Sequence, residues 1–272
     1  MPEIIEQHIV VETDNLNALE CLYQNTELSK QQIKRSMQNG ALWLENARGV
    51  NRLRRAKKDL QKGEVLHLYY DEEIQVTTPP EAKMIADMVD YSIWYKPSGM
   101  YSQGSKWGDH CSINRWVESH LKPQRPAFIV HRLDRATSGL MILAHKKKVA
   151  KAFSEMFEQR KIRKIYHARV EGIYKPEKLP SIIKQSLDGK EAMTEVLSVE
   201  HNMQFATTDV TLRIITGRKH QIRRHMSTLG HPVQGDRLYG ALNVQLDLQL
   251  SCKEIGFECP ISGKSVFWSL EK

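Results

Sequence analysis

His131-Arg-Leu-Asp-Arg-Ala-Thr-Ser-Gly139 is the stretch on which the fold and the chemistry turn. It is a polar loop set between two short apolar runs, Phe128–Val130 and Leu140–Ala144, each read as a strand. A carboxylate in such a loop is held rigidly at both ends while still facing a cleft. Arg132 and Arg135 bracket Asp134, and their positive charge favours the carboxylate form. Thr137, Ser138 and Gly139 supply hydroxyls and a glycine for a tight turn. An isolated Asp beside an Arg is usually an ordinary surface ion pair. The weight therefore rests on what surrounds it.

Outward from this loop the chain is mixed α and β. Upstream, Tyr91–Tyr95 reads as a strand and Lys96-Pro-Ser-Gly99 as the turn that ends it. Downstream, Val149, Phe153, Met156 and Phe157 recur at helical spacing. Ile165–Glu171 reads as a strand, and Val210, Leu212 and Ile214 alternate as a half-buried strand should. Ile222, Met226 and Leu229 mark the apolar face of a further helix, closed by Gly230. No internal repeat or low-complexity tract interrupts this order.

Four further strings give the loop a context. They are Tyr95-Lys-Pro-Ser-Gly99, Lys164-Ile-Tyr-His-Ala-Arg-Val-Glu-Gly172, Thr216-Gly-Arg-Lys-His-Gln-Ile-Arg-Arg-His-Met226 with Gly230-His-Pro-Val-Gln-Gly-Asp236, and Phe257-Glu-Cys-Pro-Ile-Ser-Gly263. Together with residues 131–139, and in this order, they resemble the motifs of the RluA-type pseudouridine synthases over about residues 84–272. The chain departs from the family pattern at Tyr95, where Asn or Asp is common. It departs again at Tyr101-Ser-Gln-Gly104, where Val-His-Pro often follows.

The resemblance implies an isomerase that rearranges uridines within RNA without a cofactor. It implies Asp134 as the catalytic carboxylate and Tyr166 as the residue that stacks on the base or takes the C5 proton. Arg223 would pair with Asp134, with bidentate geometry open to it. Arg132 would fill the space left by a flipped-out nucleotide. Attack at ribose C1′, addition at uracil C6 and deprotonation at C2′ all remain open to the carboxylate. The implied fold is α+β. A mixed, largely antiparallel sheet of the pseudouridine synthase type follows a small α/β RNA-binding domain.

Charge points the same way. The 272 residues carry 40 Lys and Arg against 32 Asp and Glu, a net of +8. Between Leu28 and Gly63 stand Lys30, Lys34, Arg35, Arg48, Arg52, Arg54, Arg55, Lys57, Lys58 and Lys62, opposed only by Glu45 and Asp59. That one segment supplies the whole excess, which suits an anionic partner. Asp14 is read as the cap of a helix through Tyr23 with Leu16, Leu19 and Tyr23 on one face. Ser29 with Gln32 forms a capping box for a second helix bearing Ile33 and Met37, and Gly40 ends it. Strands follow at Ala41–Leu44 and Val65–Tyr70. The order resembles the small RNA-binding domain of ribosomal protein S4, although the basic run Arg52–Lys58 departs from the short hairpin usual there. The expected organisation is a basic RNA-binding domain at 1–75, a linker at 76–83 marked by Thr77-Thr-Pro-Pro80, and a catalytic domain at 84–272. Lys30, Lys34, Arg35, Arg52, Arg54, Arg55 and Arg218 are the expected RNA contacts, with Arg224 a second surface contact.

Cys21, Cys111, Cys252 and Cys259 are scattered and form no metal-binding pairs. His220 and His225 are five apart, which does not set both squarely on one helix face. No phosphate loop or dinucleotide fingerprint is present. No apolar run is long enough to span a bilayer, and the N-terminus lacks the order of a signal peptide. The expectation is a cytoplasmic monomer that binds ribosomal RNA, in preference to transfer RNA, with no cofactor, metal or membrane. A non-catalytic RNA-binding protein is disfavoured by the set Asp134, Tyr166 and Arg223. A hydrolase or glycosylase using Asp134 would need a water-activating base or metal cluster, and the sequence offers none.

Overall fold

The computed structural model describes residues 3–240 and 245–270. The chain divides into two compact units, Met1–Pro79 with Gln103–Trp116, and Pro80–Ser102 with Val117–Lys272. The segment 103–116 thus belongs with the first unit, although a reading by sequence order assigns it to the second.

In the first unit the order is β1 (Ile4–Val10), α1 (Ala18–Asn25), α2 (Lys30–Asn39), β2 (Leu42–Asn46), β3 (Gly49–Arg52), β4 (Val65–Asp71) and α3 (Glu72–Val76). The strands pair antiparallel in the order β1-β4-β2-β3. Alternation along β4 sends Leu66, Leu68 and Tyr70 to the core, where they meet Leu22 of α1 and Ile33 and Met37 of α2. Asn17, not Asp14, caps α1: its side chain accepts from the Glu20 N–H at 2.9 Å. Asp14 instead accepts from the Lys62 N–H at 2.8 Å. Leu19 is buried, but Tyr23, expected on the same face, is exposed, with the Lys30 ammonium over its ring at 4.8 Å. Ser29 and Gln32 cap α2 reciprocally, and Gly40 closes it in the left-handed region at φ 80°.

Two arginines of the basic run serve this fold. Arg54 Nη2 lies 2.5 Å and Arg52 Nε 3.3 Å from the same Asp109 Oδ2. Arg52 also donates to the Gly40 carbonyl, donates to the Ser105 carbonyl at 2.7 Å and stacks over Trp43. Lys30 is engaged by Glu20 at 2.6 Å. Lys34, Arg35 and Arg55 are exposed.

The remaining elements are β5 (Lys83–Asp87), β6 (Tyr91–Lys96), α4 (Ile113–His120), β7 (Phe128–Ile129), β8 (Ser138–Ala144), α5 (Lys147–Glu158), β9 (Arg163–Glu171), β10 (Ser181–Leu187), β11 (Lys190–Asn202), β12 (Thr207–Ile214), α6 (Gln221–Thr228), β13 (Leu250–Glu258) and β14 (Ser265–Ser269). The sheet of the second unit runs β10-β11-β12-β9-β13-β8-β6-β5, with β14 on β13 and β7 on β8. Every pairing is antiparallel except β13 with β8. This is the mixed, largely antiparallel sheet that the sequence implies. Leu140 to Ala144 are fully buried, which explains their unbroken apolar run. Val149 and Phe153 of α5 pack inward, as do Ile222 and Met226 of α6. Leu229 is exposed instead, because α6 ends at Thr228 and Leu229 is its C-cap.

Candidate active site

The Asp134 loop leaves β7 and re-enters the sheet as β8. The Thr137 N–H donates to the Asp134 carbonyl at 3.1 Å and closes the turn. Residues 96–102 grip the loop from the end of β6. The Gly99 N–H donates to the Arg135 carbonyl at 2.9 Å, and Ser98 Oγ to the Ala136 carbonyl at 3.0 Å. Ser102 Oγ donates to the Leu133 carbonyl at 2.6 Å and accepts from the Leu133 N–H at 3.0 Å. Lys96 is fully buried and gives its ammonium to the carbonyls of Pro97 (2.9 Å), Met100 (2.8 Å) and Arg135 (3.3 Å). Burial drives the Lys96 pKa down to about 7, against the opposing pull of the Asp134 charge. His131 is structural: its Nε2 accepts from the Ile142 N–H at 3.0 Å, and its ring packs on Phe157. Burial holds its pKa well below the usual imidazole range, so it is neutral.

The central strand β13 brings this loop and Tyr166 to a common neighbour. Cys252 pairs with Gly139 on one side and with Tyr166 of β9 on the other. A Cβ at Gly139, where φ is +120°, would fall 2.3 Å from the Cys252 carbonyl oxygen, so only glycine permits this approach. Tyr166 is buried. Desolvation, then the adjacent Cys252 thiol, then the Asp134 charge push its pKa well above the ordinary phenol value. Its hydroxyl is therefore protonated.

Helix α6 delivers Arg223. The guanidinium is nearly enclosed and makes a two-pronged contact with Asp236, Nε to Oδ2 at 2.8 Å and Nη2 to Oδ1 at 2.7 Å. Its remaining nitrogen, Nη1, lies 3.7 Å from Asp134 Oδ2. The sequence reading leaves a bidentate contact with Asp134 open; the fork belongs to Asp236. Burial opposes the Asp236 charge, yet the Arg223 hydrogen bonds and the backbone N–H groups of Leu238 and Tyr239 hold its pKa below the usual carboxylate value. Gly235 has φ +74°, and a Cβ there would sit 2.4 Å from the Asp247 carbonyl. The chain can therefore turn Asp236 inward only with glycine before it. Exposure separates the three groups. The Asp134 side chain is 29% exposed, against 6% for Arg223 and none for Asp236. The reachable group is Asp134.

The structure thus brings Asp134, Tyr166 and Arg223 together. Arg132 is exposed two residues before Asp134. Arg135 leans over Tyr101 at 4.7 Å and donates to the Gly99 carbonyl. Arg218 Nε donates to the Glu191 carbonyl at 2.9 Å, and Arg224 pairs with Asp188. Four polar neighbours of the site carry no role in the sequence reading: Lys96, His220, Asp236 and Tyr239. A glycine directly before an acid at 235–236 was the available signal for Asp236. Among the described residues, no group of three or more His, Cys, Asp or Glu side chains is placed to hold a metal ion. Among the described residues, no helix is long and apolar enough to cross a membrane.

Known proteins resemble this chain in sequence and in fold. A family model described as RNA pseudouridylate synthase matches residues 90–228. A dual-specificity RNA pseudouridine synthase RluA of Vibrio parahaemolyticus is 37% identical, covering 61% of this chain and 74% of that protein. The protein of the same name from Escherichia coli is 38% identical, covering 54% and 71%. An uncharacterized RNA pseudouridine synthase of Aquifex aeolicus is 27% identical over 90% of this chain and 86% of its own. In three dimensions the chain is similar to human RNA pseudouridylate synthase domain containing 1. The TM-score is 0.59 at 21% identity, over 72% of this chain and 86% of that one.

Proposed function

The chain belongs to the RNA pseudouridylate synthase family as an RluA-type RNA pseudouridine synthase, and on that premise we propose that Asp134 carries the isomerisation of uridines in ribosomal RNA. The observation that carries this reading is the pairing of exposures at one point. Asp134 is open to an incoming nucleotide, while the Arg223 guanidinium beside it is enclosed and locked by Asp236.

The reaction breaks the bond from uracil N1 to ribose C1′ and forms one from C5 to C1′. One proton leaves C5 and one is gained at N1, so nothing is oxidised and nothing else enters or leaves. Asp134 supplies the carboxylate that acts on the nucleotide. Arg223 holds that carboxylate oriented by Coulomb attraction at 3.7 Å, from a guanidinium that Asp236 keeps from swinging away. Tyr166, as a neutral phenol, offers a stacking face and a hydrogen-bond donor; a protonated hydroxyl is poorly suited to taking the C5 proton. A uridine stacked in a helix cannot reach a loop of this kind, so the nucleotide is flipped out and Arg132 occupies the gap.

The first unit serves as the RNA-binding module, of the kind first seen in ribosomal protein S4, with Lys34, Arg35 and Arg55 among its exposed cations. That module, added to the catalytic unit, favours a large structured substrate such as ribosomal RNA. The RluA relatives are named dual-specificity, which favours a second reading in which more than one RNA is modified. The test is to incubate the purified protein with unmodified ribosomal and transfer RNA transcripts and map pseudouridine by carbodiimide adducts and primer extension. New stops at defined positions in ribosomal RNA are expected. Stops in transfer RNA alone would overturn the substrate assignment.

A further inference from the structure

His220 stands beside Asp134 without a role in the reading above. It precedes α6 in a left-handed backbone conformation, φ 54° and ψ 29°, and makes no side-chain cap. A residue at that position ordinarily lies in the extended region and lends its side chain to the first turn of the helix. The His220 ring is committed elsewhere. Its Nδ1 is 2.9 Å from the Tyr239 hydroxyl, and its Nε2 is 3.8 Å from Asp134 Oδ1.

Tyr239 is itself fixed by the group that fixes Arg223. Its N–H donates to Asp236 Oδ1 at 3.2 Å, and the Arg223 guanidinium lies over its ring at 5.1 Å. Asp134, Arg223, Asp236, Tyr239 and His220 therefore form a closed circuit. Arg223 faces one oxygen of Asp134 and His220 faces the other. A neutral imidazole has one hydrogen, and a phenol has one to give. With the Tyr239 hydroxyl donating to Nδ1, the imidazole hydrogen sits on Nε2, on the side of Asp134. Burial favours the neutral ring. Asp134 works against it, Arg223 and Lys219 reinforce it, and Asp236 opposes it weakly.

We propose that His220 is a positioning residue for Asp134, with Tyr239 fixing its tautomer so that the Nε2 hydrogen is presented to Oδ1. This rests on the reading of Asp134 as the group that carries the reaction. At 3.8 Å the contact is longer than a hydrogen bond. Contacts of this kind commonly tighten when substrate binds, and Asp134 is the more exposed of the two side chains, 29% against 15%.

The experiment is single-turnover release of tritium from a mixture of ribosomal and transfer RNA transcripts labelled at uridine C5. It uses the full chain, His220→Asn, Tyr239→Phe and their double variant, with Asp134→Asn in parallel and RNA affinity measured for each. Asparagine is at home in the left-handed region, so His220→Asn keeps the backbone and removes the donor facing Asp134. The expected rate losses are about tenfold for His220→Asn and about threefold for Tyr239→Phe, with the double variant no slower than His220→Asn and affinity within about twofold throughout. Losses that multiply in the double variant would overturn the assignment. So would rates within about twofold of wild type for both single variants while Asp134→Asn is inactive. Release by Asp134→Asn at the wild-type rate would instead remove the premise. If His220→Asn fails to fold, Tyr239→Phe decides alone: it deletes only a hydroxyl, and an unchanged rate overturns the proposal.

Discussion

Arg223 gives both prongs of its guanidinium to Asp236, at 2.8 and 2.7 Å, and meets Asp134 with Nη1 alone, at 3.7 Å. The two carboxylates thus divide the work. The buried one spends its hydrogen-bonding capacity on holding the arginine, and the partly exposed one is left, on our proposal, to meet the nucleotide. The arginine is in place before RNA arrives, so no side-chain freedom has to be lost there at the moment of reaction.

Asp236→Asn should therefore damage both stability and activity. The change removes the charge that matches an enclosed guanidinium, and breaking a buried pair from one side costs about 3 kcal/mol. Urea unfolding should show a loss of that order, and single-turnover rates should fall together with it. A stable variant with a normal rate would mean that Arg223 needs no anchor.

Arg223→Lys should keep RNA affinity and lose most of the rate. An ammonium is one point charge; it can meet Asp236 or Asp134 but cannot reproduce the fork to one and the single contact to the other. The expected pattern is a reduced kcat with little change in the Kd for RNA. A reduced affinity at unchanged kcat would assign Arg223 to a phosphate contact.

Lys96 makes a prediction in pH. An unfolded lysine keeps its proton to about pH 10.4, whereas the buried Lys96 releases it near a pKa of about 7. Between those values the unfolded chain binds more protons, so the stability contributed by this group rises with pH. Lys96→Met lacks the titration. The unfolding free energy of the wild type relative to the variant should grow between pH 7 and pH 9, as read from paired urea curves. A constant difference would show that Lys96 stays charged throughout.

Much of this site is legible in the sequence because its parts lie in contiguous strings. Asp134 sits between two apolar strands that also pair with each other, so local pattern suffices to place it. Asp236 does not read as a partner of Arg223: the glycine before it marks a turn, but nothing local says which residue, 13 positions back, that turn will meet. Charge counting likewise tells only part of what Arg52 and Arg54 do. It sees two cations and cannot see that both reach one carboxylate, Asp109, 55 residues beyond Arg54. Asp14 and Asn17 are both good caps three residues apart. Only the Lys62 N–H, brought in by the fold, decides between them.

The same distinction separates two kinds of basic residue in the first unit. Arg54→Ala should cost about 1–3 kcal/mol of stability, because it strips a hydrogen bond from a nearly buried carboxylate, and should leave the salt dependence of RNA affinity unchanged. The exposed pair Lys34→Ala with Arg35→Ala should do the reverse, reducing the slope of log affinity against log salt by about 1–2. Equal slopes in all three proteins would remove α2 from the RNA surface.

Asp134→Asn tests the central claim most directly, because it preserves the shape of the side chain and removes the carboxylate. Single-turnover tritium release from RNA labelled at uridine C5 should be abolished, while melting temperature and RNA affinity stay at wild-type values. Release at a rate near that of the wild type, from a variant shown to be folded and bound to RNA, would contradict the account.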